Sequence, residues 1–309
     1  MKVSVVIPAY NSEKFIRKAL DSVLAQQTNF PFEVIVVNNG SVDGTQDILD
    51  SYGDSIRTIH LHPNQGVSKG RQAGIEAARG ELIAPIDSDD YWKQGKLQAQ
   101  VDFFDSHPDA NIGIVDTFTE IVNHKGKVIE VLDRVKQGDA FKMFLTGNVL
   151  NQLSSMMFPK KVFLDVGGFD AELSGIEDYD FCLRVAHKYS VYTVEEIYCS
   201  WVHHDQNTTL KYQEHYAKSL KFIEKTRRMV PDDISEAEFR RFRARFPAYF
   251  IPWYFRGGHY GKVLAMAVEM LRNDPRKIKH KSMLFACLAL LGPLGTRIHR
   301  ALARDTRGC

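Results

Sequence analysis

The stretch VSVVIPAYN (residues 3–11) opens with an apolar run that is almost entirely β-branched. A continuous run of this kind is typical of a strand that is buried on both faces of a parallel sheet. We predict that Val3–Ile7 is such a strand, that Pro8 ends it, and that Ser12 caps a helix reaching about Gln27. Apolar residues recur along one stripe of this helix, so it can pack on the sheet. The stretch therefore predicts the first strand and helix of an α/β domain.

Strand and helix patterns alternate through the first ninety residues. Three further apolar runs are predicted strands: Glu33–Val37, Ile56–Leu61 and Glu81–Ile86. One helix is predicted to begin at Asp43 or Thr45, and another covers Gly66–Arg79, whose small residues allow close packing. Such alternation favours an α/β fold with a doubly wound, mostly parallel sheet flanked by helices. Right-handed crossovers bring the loops after the strands to one edge, where open α/β sheets bind ligands.

The pattern after residue 105 is less regular. Predicted strands are Ile112–Thr119, Lys127–Val131 and Ser190–Tyr198, and a loop over Leu173–Asp180 leads into a helix that continues to Tyr189. Beyond about Gln213 the pattern is helical. We therefore divide the chain into three predicted parts: residues 1–105, 106–210 and 211–309.

The composition of the 309-residue chain is that of a globular protein, with 44% hydrophobic and 25% charged residues. It excludes a disordered chain, a collagen-like chain and a small disulfide-rich scaffold. The formal net charge of +2 conceals a division, because residues 1–205 carry −10 and residues 206–309 carry +12. This asymmetry predicts an acidic part and a basic part with different partners. The alternative interpretation is a solvated basic helical tail.

The cysteines and the apolar runs bear on where the protein is found. Cys182, Cys199, Cys287 and Cys309 show neither metal-ligand spacing nor a disulfide framework, which fits a reducing compartment. We see no signal peptide, and the longest apolar run, Met283–Leu291, is too short to span a membrane. The expectation is a cytoplasmic protein that can lie peripherally at the inner face of the cell membrane.

Three carboxylates lie within Asp87-Ser88-Asp89-Asp90, directly after the predicted strand Glu81–Ile86. Like charges this close repel one another and require a cation or strong hydrogen-bond donors. Oxygen ligands of this kind suit Mn²⁺ or Mg²⁺, which also bridge diphosphate oxygens. The alternative is a solvated acidic turn that caps a helix over Tyr91–Phe104.

Two other polar loops follow predicted strands. In NNGSVDGT (residues 38–45), glycines permit positive φ and Asp43 and Thr45 can cap a helix, but this does not explain the polar cluster after an apolar strand. In NQGVSKGRQAG (residues 64–74), Lys69 and Arg71 are placed to hold phosphate or base. The alternative is an ordinary basic helix face, which we favour for Lys69.

Two segments in the second half carry candidate catalytic groups. The segment GIEDYD (residues 175–180) opens a helix, and a carboxylate beside an apolar wall can be tuned as a general base. The alternative is that Glu177 and Asp178 only stabilise the helix, because negative charge is favourable at the positive, N-terminal end of the helix dipole. His203 and His204 follow a strand and are potential metal ligands, or ordinary surface residues.

These segments occur in one order: VSVVIPAYN, VVNNGSVDGT, NQGVSKGRQAG, DSDD, GGFD and GIEDYDFCLRV. In this order and spacing the sequence resembles the inverting family 2 glycosyltransferases of GT-A fold, including those that act in bacterial cell-surface polysaccharide synthesis. The resemblance extends over residues 1 to about 210. It implies that residues 1–105 bind the nucleotide sugar and that residues 106–210 bind the acceptor and catalyse transfer.

The resemblance also implies a role for each matching residue. The nucleoside would be bound by Pro8, Ala9, Tyr10, Asn39, Asp43, Arg71 and Asp87. Asp89 and His204 would bind the metal, Mn²⁺ or Mg²⁺, while Asp90 and Glu177 would orient donor and acceptor. Asp178 would be the catalytic base. The implied activity is transfer from a nucleotide sugar, with UDP expected, to a saccharide or lipid-linked saccharide hydroxyl.

Three departures from the family pattern matter. Asn38 stands where the family usually has aspartate, although an amide can still donate to and accept from uracil. Val202 replaces the usual arginine before the histidine, and Gln72 replaces the common asparagine after Arg71. The Q-x-x-R-W motif of processive synthases is absent from the sequence, which predicts one sugar per event.

Two other functions are alternatives to sugar transfer. A sugar-phosphate nucleotidyltransferase usually carries a G-x-G-T-R loop after its first strand, where this chain has PAYNSEK. A catalytically silent nucleotide-sugar-binding module would not need Asp87, Asp89 and Asp178 intact.

The basic part of the chain, residues 206–309, is predicted to bind a partner different from that of the acidic part. Arginines alternate with aromatic residues over 239–256, and the apolar run Met283–Leu291 is flanked by basic residues. We expect this region to contact an anionic membrane surface and not nucleic acid. The alternative is a helical subdomain that packs its aromatic residues on the catalytic domain.

Overall fold

The strand predicted at Val3 lies at the centre of the first sheet. β1 (Val3–Ala9) is buried along its whole length and pairs in parallel with a strand on each side. Across the sheet the strands are, in order, β3 (Arg57–His60), β2 (Phe32–Asn38), β1, β4 (Leu82–Pro85) and the antiparallel β9 (Phe158–Pro159). The parallel strand order confirms the α/β prediction for this half.

A second sheet is present in addition to the predicted, mostly parallel one. Its path runs β5 (Tyr91–Trp92), β10 (Ser190–His203), β6 (Ile112–Asn123) and β7 (Val128–Leu132), and β8 (Gln137–Gly138) also pairs with β10. β6 and β10 run in parallel, and their pairing extends from Ser190 to His203. This long pair carries the chain to the edge where His204 lies.

The description covers residues 1–123, 125–147, 150–204, 212–230, 232 and 234–305 of a computed structural model, with side chains described no further than residue 299. The chain divides into two compact units, Met1–Phe144 with Asn148–Asn207, and Leu145–Gly147 with Thr208–Cys309. Cys309 and the predicted division between residues 210 and 211 lie outside the described residues.

Helices flank the two sheets in the first two hundred residues. They are α1 (Ile16–Leu24), α2 (Thr45–Asp50), α3 (Val67–Ala77), α4 (Lys96–Ser106), α5 (Phe141–Thr146), α6 (Lys160–Asp165) and α7 (Glu177–Ala186). With the two sheets they form the mixed α/β core. The buried side of α1 contacts the first sheet through Ile16, Leu20 and Val23.

Three local predictions were wrong. β1 continues through Pro8, because proline removes only one donor and Asn39 N–H still donates to Ala9 C=O at 2.8 Å. Ser12 does not cap α1; its hydroxyl bonds Ser88 at 2.8 Å instead. Tyr91–Trp92 is a strand paired with β10 and not the start of a helix. α4 begins only after Gly95, whose φ of 89° is a left-handed conformation that does not belong to an α-helix.

The second unit is helical, as the pattern beyond Gln213 predicted. Its helices are α8 (Tyr212–Arg227), α9 (Glu236–Arg256), α10 (Tyr260–Asn273), α11 (Ser282–Ala289) and α12 (Pro293–Asp305). α9 passes through Pro247 and Pro252 without ending, and it begins with a capping box formed by Ser235 and Glu238. None of the helices in the described residues combines the length and the apolar character needed to cross a bilayer.

The aromatic residues of α9 form the core of this unit. Phe250, Ile251, Tyr254 and Phe255 are buried and cluster with residues of α10 and α11. The hypothesis that the aromatic run over 239–256 faces a membrane is therefore wrong for most of its rings. These rings are already covered by protein.

Close packing of α3 on the first sheet depends on Gly74. A Cβ built at this position would lie 2.4 Å from Val6 Cγ1 and 3.0 Å from Val37 Cγ2. Valine side chains are stiff, so they cannot turn aside to make room. The absence of a side chain at Gly74 therefore sets how near α3, and with it Arg71, can come to the sheet.

We predict that Gly74→Ala lowers the free energy of unfolding by about 1–3 kcal/mol, because the helix must shift away from the sheet. The matched control is Gly261→Ala in α10, where an added Cβ meets nothing within 4 Å. That change should be neutral or slightly stabilising. Thermal unfolding of both variants tests this; equal effects would contradict the packing argument.

Candidate active site

The acidic loop Asp87–Asp90 leaves the carboxyl end of β4. Carboxylate oxygens of Asp87, Asp89 and Asp90 all lie within 4.8 Å of one another. Ser154 holds the loop in place: its hydroxyl donates to Asp90 Oδ2 at 2.5 Å and accepts from Asp87 N–H at 3.0 Å. The three carboxylates are thus brought together by protein contacts.

The electrostatics of this cluster favour binding of positive charge. Burial and the negative charges of Asp89 and Asp87 raise the pKa of Asp90 well above its usual value. Burial and Asp89 also raise the pKa of Asp87, against the lowering effect of Arg71. A divalent cation between such groups would relieve the repulsion, and three carboxylates are a donor set that Mn²⁺ and Mg²⁺ accept.

His204 lies beside this cluster, just past the end of β10. Its Nε2 is 2.9 Å from Asp89 Oδ2, and its ring stacks on Phe15 with centroids 4.3 Å apart. Asp89 keeps 26% of its side chain exposed. The two residues predicted as metal ligands are therefore neighbours, although 115 positions separate them in the chain.

Arg71 joins the acidic loop to the segment that carries the predicted base. From α3 its guanidinium donates to Asp87 Oδ1 at 2.5 Å and to Glu177 Oε1. Arg71 and Glu177 are buried, so this ion pair is shielded from water. Glu177 also accepts a hydrogen bond from Gly175 N–H, which shapes the turn into α7. In the structure Arg71 thus contacts protein carboxylates, and a contact with the nucleobase stays a prediction.

Asp178 is the second residue of α7 and is half-buried. Its Oδ1 accepts a hydrogen bond from Tyr179 N–H at 2.7 Å. Burial and the charge of Glu177 raise the pKa of Asp178 to about 7, although Arg71 lowers it. A carboxylate with this pKa is suited to take a proton near neutral pH.

The residues predicted to bind the nucleoside lie at the ends of β1 and β2. Pro8 and Ala9 are buried in β1, and Tyr10 just beyond is 48% exposed. The Asn39 side chain accepts a hydrogen bond from Gln65 N–H at 3.0 Å and donates one to Gly66 C=O at 2.9 Å. It ties two loops of this edge together.

Asp43 and Asn38 are likewise engaged in the loop after β2. Asp43 Oδ1 accepts hydrogen bonds from Thr45 N–H and Oγ1 just before α2, and these hydrogen bonds outweigh burial and lower the pKa of Asp43. Asn38 donates to Gln46 Oε1 at 2.7 Å and accepts from Ser41 N–H. Gly44 holds the cap position of α2 without a side-chain cap, so the capping expected of Asp43 is wrong, and the nucleotide role of Asp43 stays a prediction.

Sequence reasoning missed two residues that organise the site, Ser154 and Phe15. Ser154 lies 64 positions from Asp90, and nothing in its neighbourhood marks a serine there as different from other serines. Phe15 was expected only as part of an apolar helix stripe, yet it stacks on His204. Neither carries a sequence signal, since each acts through a contact made by folding.

Residues 4–167 match the family model described as glycosyl transferase family 2. A relative from Rickettsia bellii, described as an uncharacterized glycosyltransferase, is 31% identical over 219 residues, or 69% of this chain. This match spans 31% of the relative's own length. The chain belongs to glycosyl transferase family 2.

Solved structures with the same fold come from more distant proteins. S. aureus TarS (residues 1–349, in complex with UDP-GlcNAc) matches with a TM-score of 0.66 and 20% identity, over 96% of this chain and 88% of TarS. The mannosyltransferase PcManGT from Pyrobaculum calidifontis, in complex with GDP-Man and Mn²⁺, matches with a TM-score of 0.61 and 16% identity, over 96% and 86% of the two chains. The likeness confirms the GT-A type fold and the helical C-terminal region.

We predict that Arg71→Gln lowers the free energy of unfolding by about 3–5 kcal/mol, because it leaves the buried Glu177 without its cation. The control is Lys188→Gln, which breaks the exposed Lys188–Asp165 pair and should cost less than about 1 kcal/mol. Adding Glu177→Gln to Arg71→Gln should restore part of the loss. Urea unfolding measures all three, and an Arg71→Gln effect no larger than the control's would refute the pairing argument.

Proposed function

We propose that this chain transfers a sugar from a UDP-linked donor to a hydroxyl group of a saccharide or lipid-linked saccharide, with inversion at the anomeric carbon. The observation that carries the proposal is the Arg71 bridge, which brings the acidic loop and the Glu177–Asp178 segment to one site. Family membership supports sugar transfer as the reaction class. Among proteins of this fold, TarS has been solved with UDP and with UDP-GlcNAc, which supports the choice of nucleotide.

Asp178 is the proposed catalytic base. It accepts the proton of the acceptor hydroxyl, the hydroxyl oxygen forms a bond to the anomeric carbon, and the bond from that carbon to the diphosphate oxygen breaks. Attack from the face opposite the leaving group inverts the configuration in a single displacement. Burial and the charge of Glu177, which raise the pKa of Asp178 to about 7, keep its carboxylate basic enough for this step.

Asp89 and His204, with Asp87 nearby, are the residues proposed to hold a divalent cation. PcManGT, of the same fold, is known in complex with Mn²⁺, which supports this cofactor class. When bound, Mn²⁺ or Mg²⁺ would neutralise charge on the diphosphate. Asp90 already accepts from Ser154 and from Val202 N–H, so we assign it to support of the loop and orientation of the donor.

Pro8, Ala9, Tyr10, Asn39, Asp43 and Arg71 remain the proposed nucleoside site. Exposed Tyr10 offers a ring to stack on the base, while Asn39 and Asp43 hold the loops that surround it. We further propose one transfer per binding event, because the chain lacks the Q-x-x-R-W motif. The free thiols of Cys182 and Cys199 fit a cytoplasmic setting.

We predict that Asp178→Asn lowers turnover by about 10²–10⁴-fold while leaving UDP binding within about twofold of the unchanged protein. Turnover is measured as nucleoside diphosphate released from a panel of nucleotide sugars with Mn²⁺ and extracted lipid-linked acceptors. Asp165→Asn, at an exposed position, is the matched control and should retain full activity.

The rate should also rise with pH through a midpoint near 7, because only the unprotonated Asp178 can accept the proton. Near-normal turnover in Asp178→Asn would disprove the base assignment. Release from no donor at all would favour a silent nucleotide-sugar-binding module.

We predict that Asp89→Asn weakens Mn²⁺-dependent UDP binding by about tenfold or more, because it removes a charged ligand from the proposed cation site. Calorimetric titration with and without Mn²⁺ measures this. Asp102→Asn, on the exposed side of α4, is the control and should bind like the unchanged protein. Unaltered Mn²⁺ dependence in Asp89→Asn would remove this residue from the site.

A further inference from the structure

The last two helices of the second unit lie in a segment that is strongly basic. Between Asp274 and Asp305 the sequence has no acidic residue, and its basic residues are Arg276, Lys277, Lys279, Lys281, Arg297, Arg300 and Arg304. Arg276 forms an ion pair with Asp274 at 2.8 Å. Lys279, Lys281 and Arg297 are exposed.

α11 has one face covered by protein and one face open. Ser282, Ala286 and Ala289 are buried on the covered side, where the Ser282 hydroxyl donates to Ala248 C=O. Leu284 and Cys287 are exposed on the other side of α11. Leu290 and Leu291, directly after the end of α11 at Ala289, are exposed as well.

Exposed leucines also occur at the turn between α11 and α12 and at the start of α12. Leu290 is 72% exposed and Leu294 is 56% exposed. We call Leu284, Leu290, Leu291 and Leu294 the α11–α12 tip. Single exposed leucines are ordinary on protein surfaces, but four in one short segment, with exposed cations on both sides of it in the sequence, favour an interaction surface.

We propose that the α11–α12 tip docks the protein on an anionic lipid surface. The leucines would enter the boundary between headgroups and acyl chains, while Lys279, Lys281 and Arg297 reach lipid phosphates. α11 is only eight residues long, about 12 Å, against about 30 Å of hydrocarbon, so the contact is interfacial.

The positive charge of the α11–α12 tip indicates which kind of partner binds it. A second copy of the chain, seated on the same patch, would bring its own cations against Lys279, Lys281 and Arg297. Nucleic acid would pair with the cations but would leave the leucines in water. Anionic lipid would pair with the cations and would also remove the leucines from water. This inference does not depend on the proposed sugar transfer.

The test is flotation of the full chain with two kinds of vesicle: phosphatidylcholine alone, and phosphatidylcholine mixed with an equal amount of phosphatidylglycerol. We expect binding to the mixed vesicles only. The triple change Lys279→Glu, Lys281→Glu and Arg297→Glu should weaken partitioning about a hundredfold. The triple change Leu290→Ser, Leu291→Ser and Leu294→Ser should weaken it about tenfold or more.

Each variant has a matched control elsewhere on the surface. For charge, Lys125→Glu, Lys127→Glu and Lys161→Glu alter three exposed lysines of the first unit. For apolar area, Leu164→Ser, Leu220→Ser and Val268→Ser alter three other exposed side chains. Both controls should float like the unchanged protein. Thermal unfolding of each variant confirms that the fold is retained.

The proposal is overturned if the unchanged protein does not float with the mixed vesicles, or if the controls lose binding as much as the tip variants. It is also overturned if the leucine variant only converts a dimer to a monomer in size-exclusion chromatography while flotation persists. That result would assign the tip to self-association.

Discussion

The ion pair of Arg71 with Asp87 and Glu177 is the constraint on which the candidate site depends. A buried guanidinium without compensating negative charge is strongly destabilising, and these carboxylates would repel one another without it. Its two partners come from loops that are far apart in the chain. The Arg71 guanidinium thereby sets the position of the acidic loop relative to the start of α7. Because Gly74 lets α3 approach the sheet closely, backbone packing in turn sets where that cation lies.

Most of the polar side chains described around the site are hydrogen-bonded to neighbouring loops, and fewer of them are exposed to solvent. Asn38, Asn39 and Asp90 have their side-chain atoms engaged by neighbouring loops. Asp89 and Asp178 keep part of their surface open. This division is what a pre-organised site requires, since groups that orient must be fixed before groups that react can be aimed.

The sequence anticipated the elements that repeat a simple pattern. β1, β2 and β4 appear where apolar runs stood, and the helical character of the second unit follows from its periodicity. The errors arose where a long-range contact decides the outcome. Tyr91 and Trp92 pair with β10, over a hundred residues later, and so form a strand where local charge suggested a helix start. The aromatic residues of α9 have the composition of a membrane-facing segment, yet most of them are buried within the second unit, together with residues of α10 and α11.

By itself the sequence determined the α/β class, the family, and the order of the polar loops at the ends of the strands, because hydrophobic periodicity and motif spacing are local properties of a chain. Only the tertiary structure decided how those loops are joined. It placed His204 next to Asp89 and Ser154 against the acidic loop, and it made Arg71 the bridge between two carboxylates. It also separated the covered aromatic residues of α9 from the exposed leucines of the α11–α12 tip. Contacts between distant residues exist only after folding, and burial and pKa follow from those contacts.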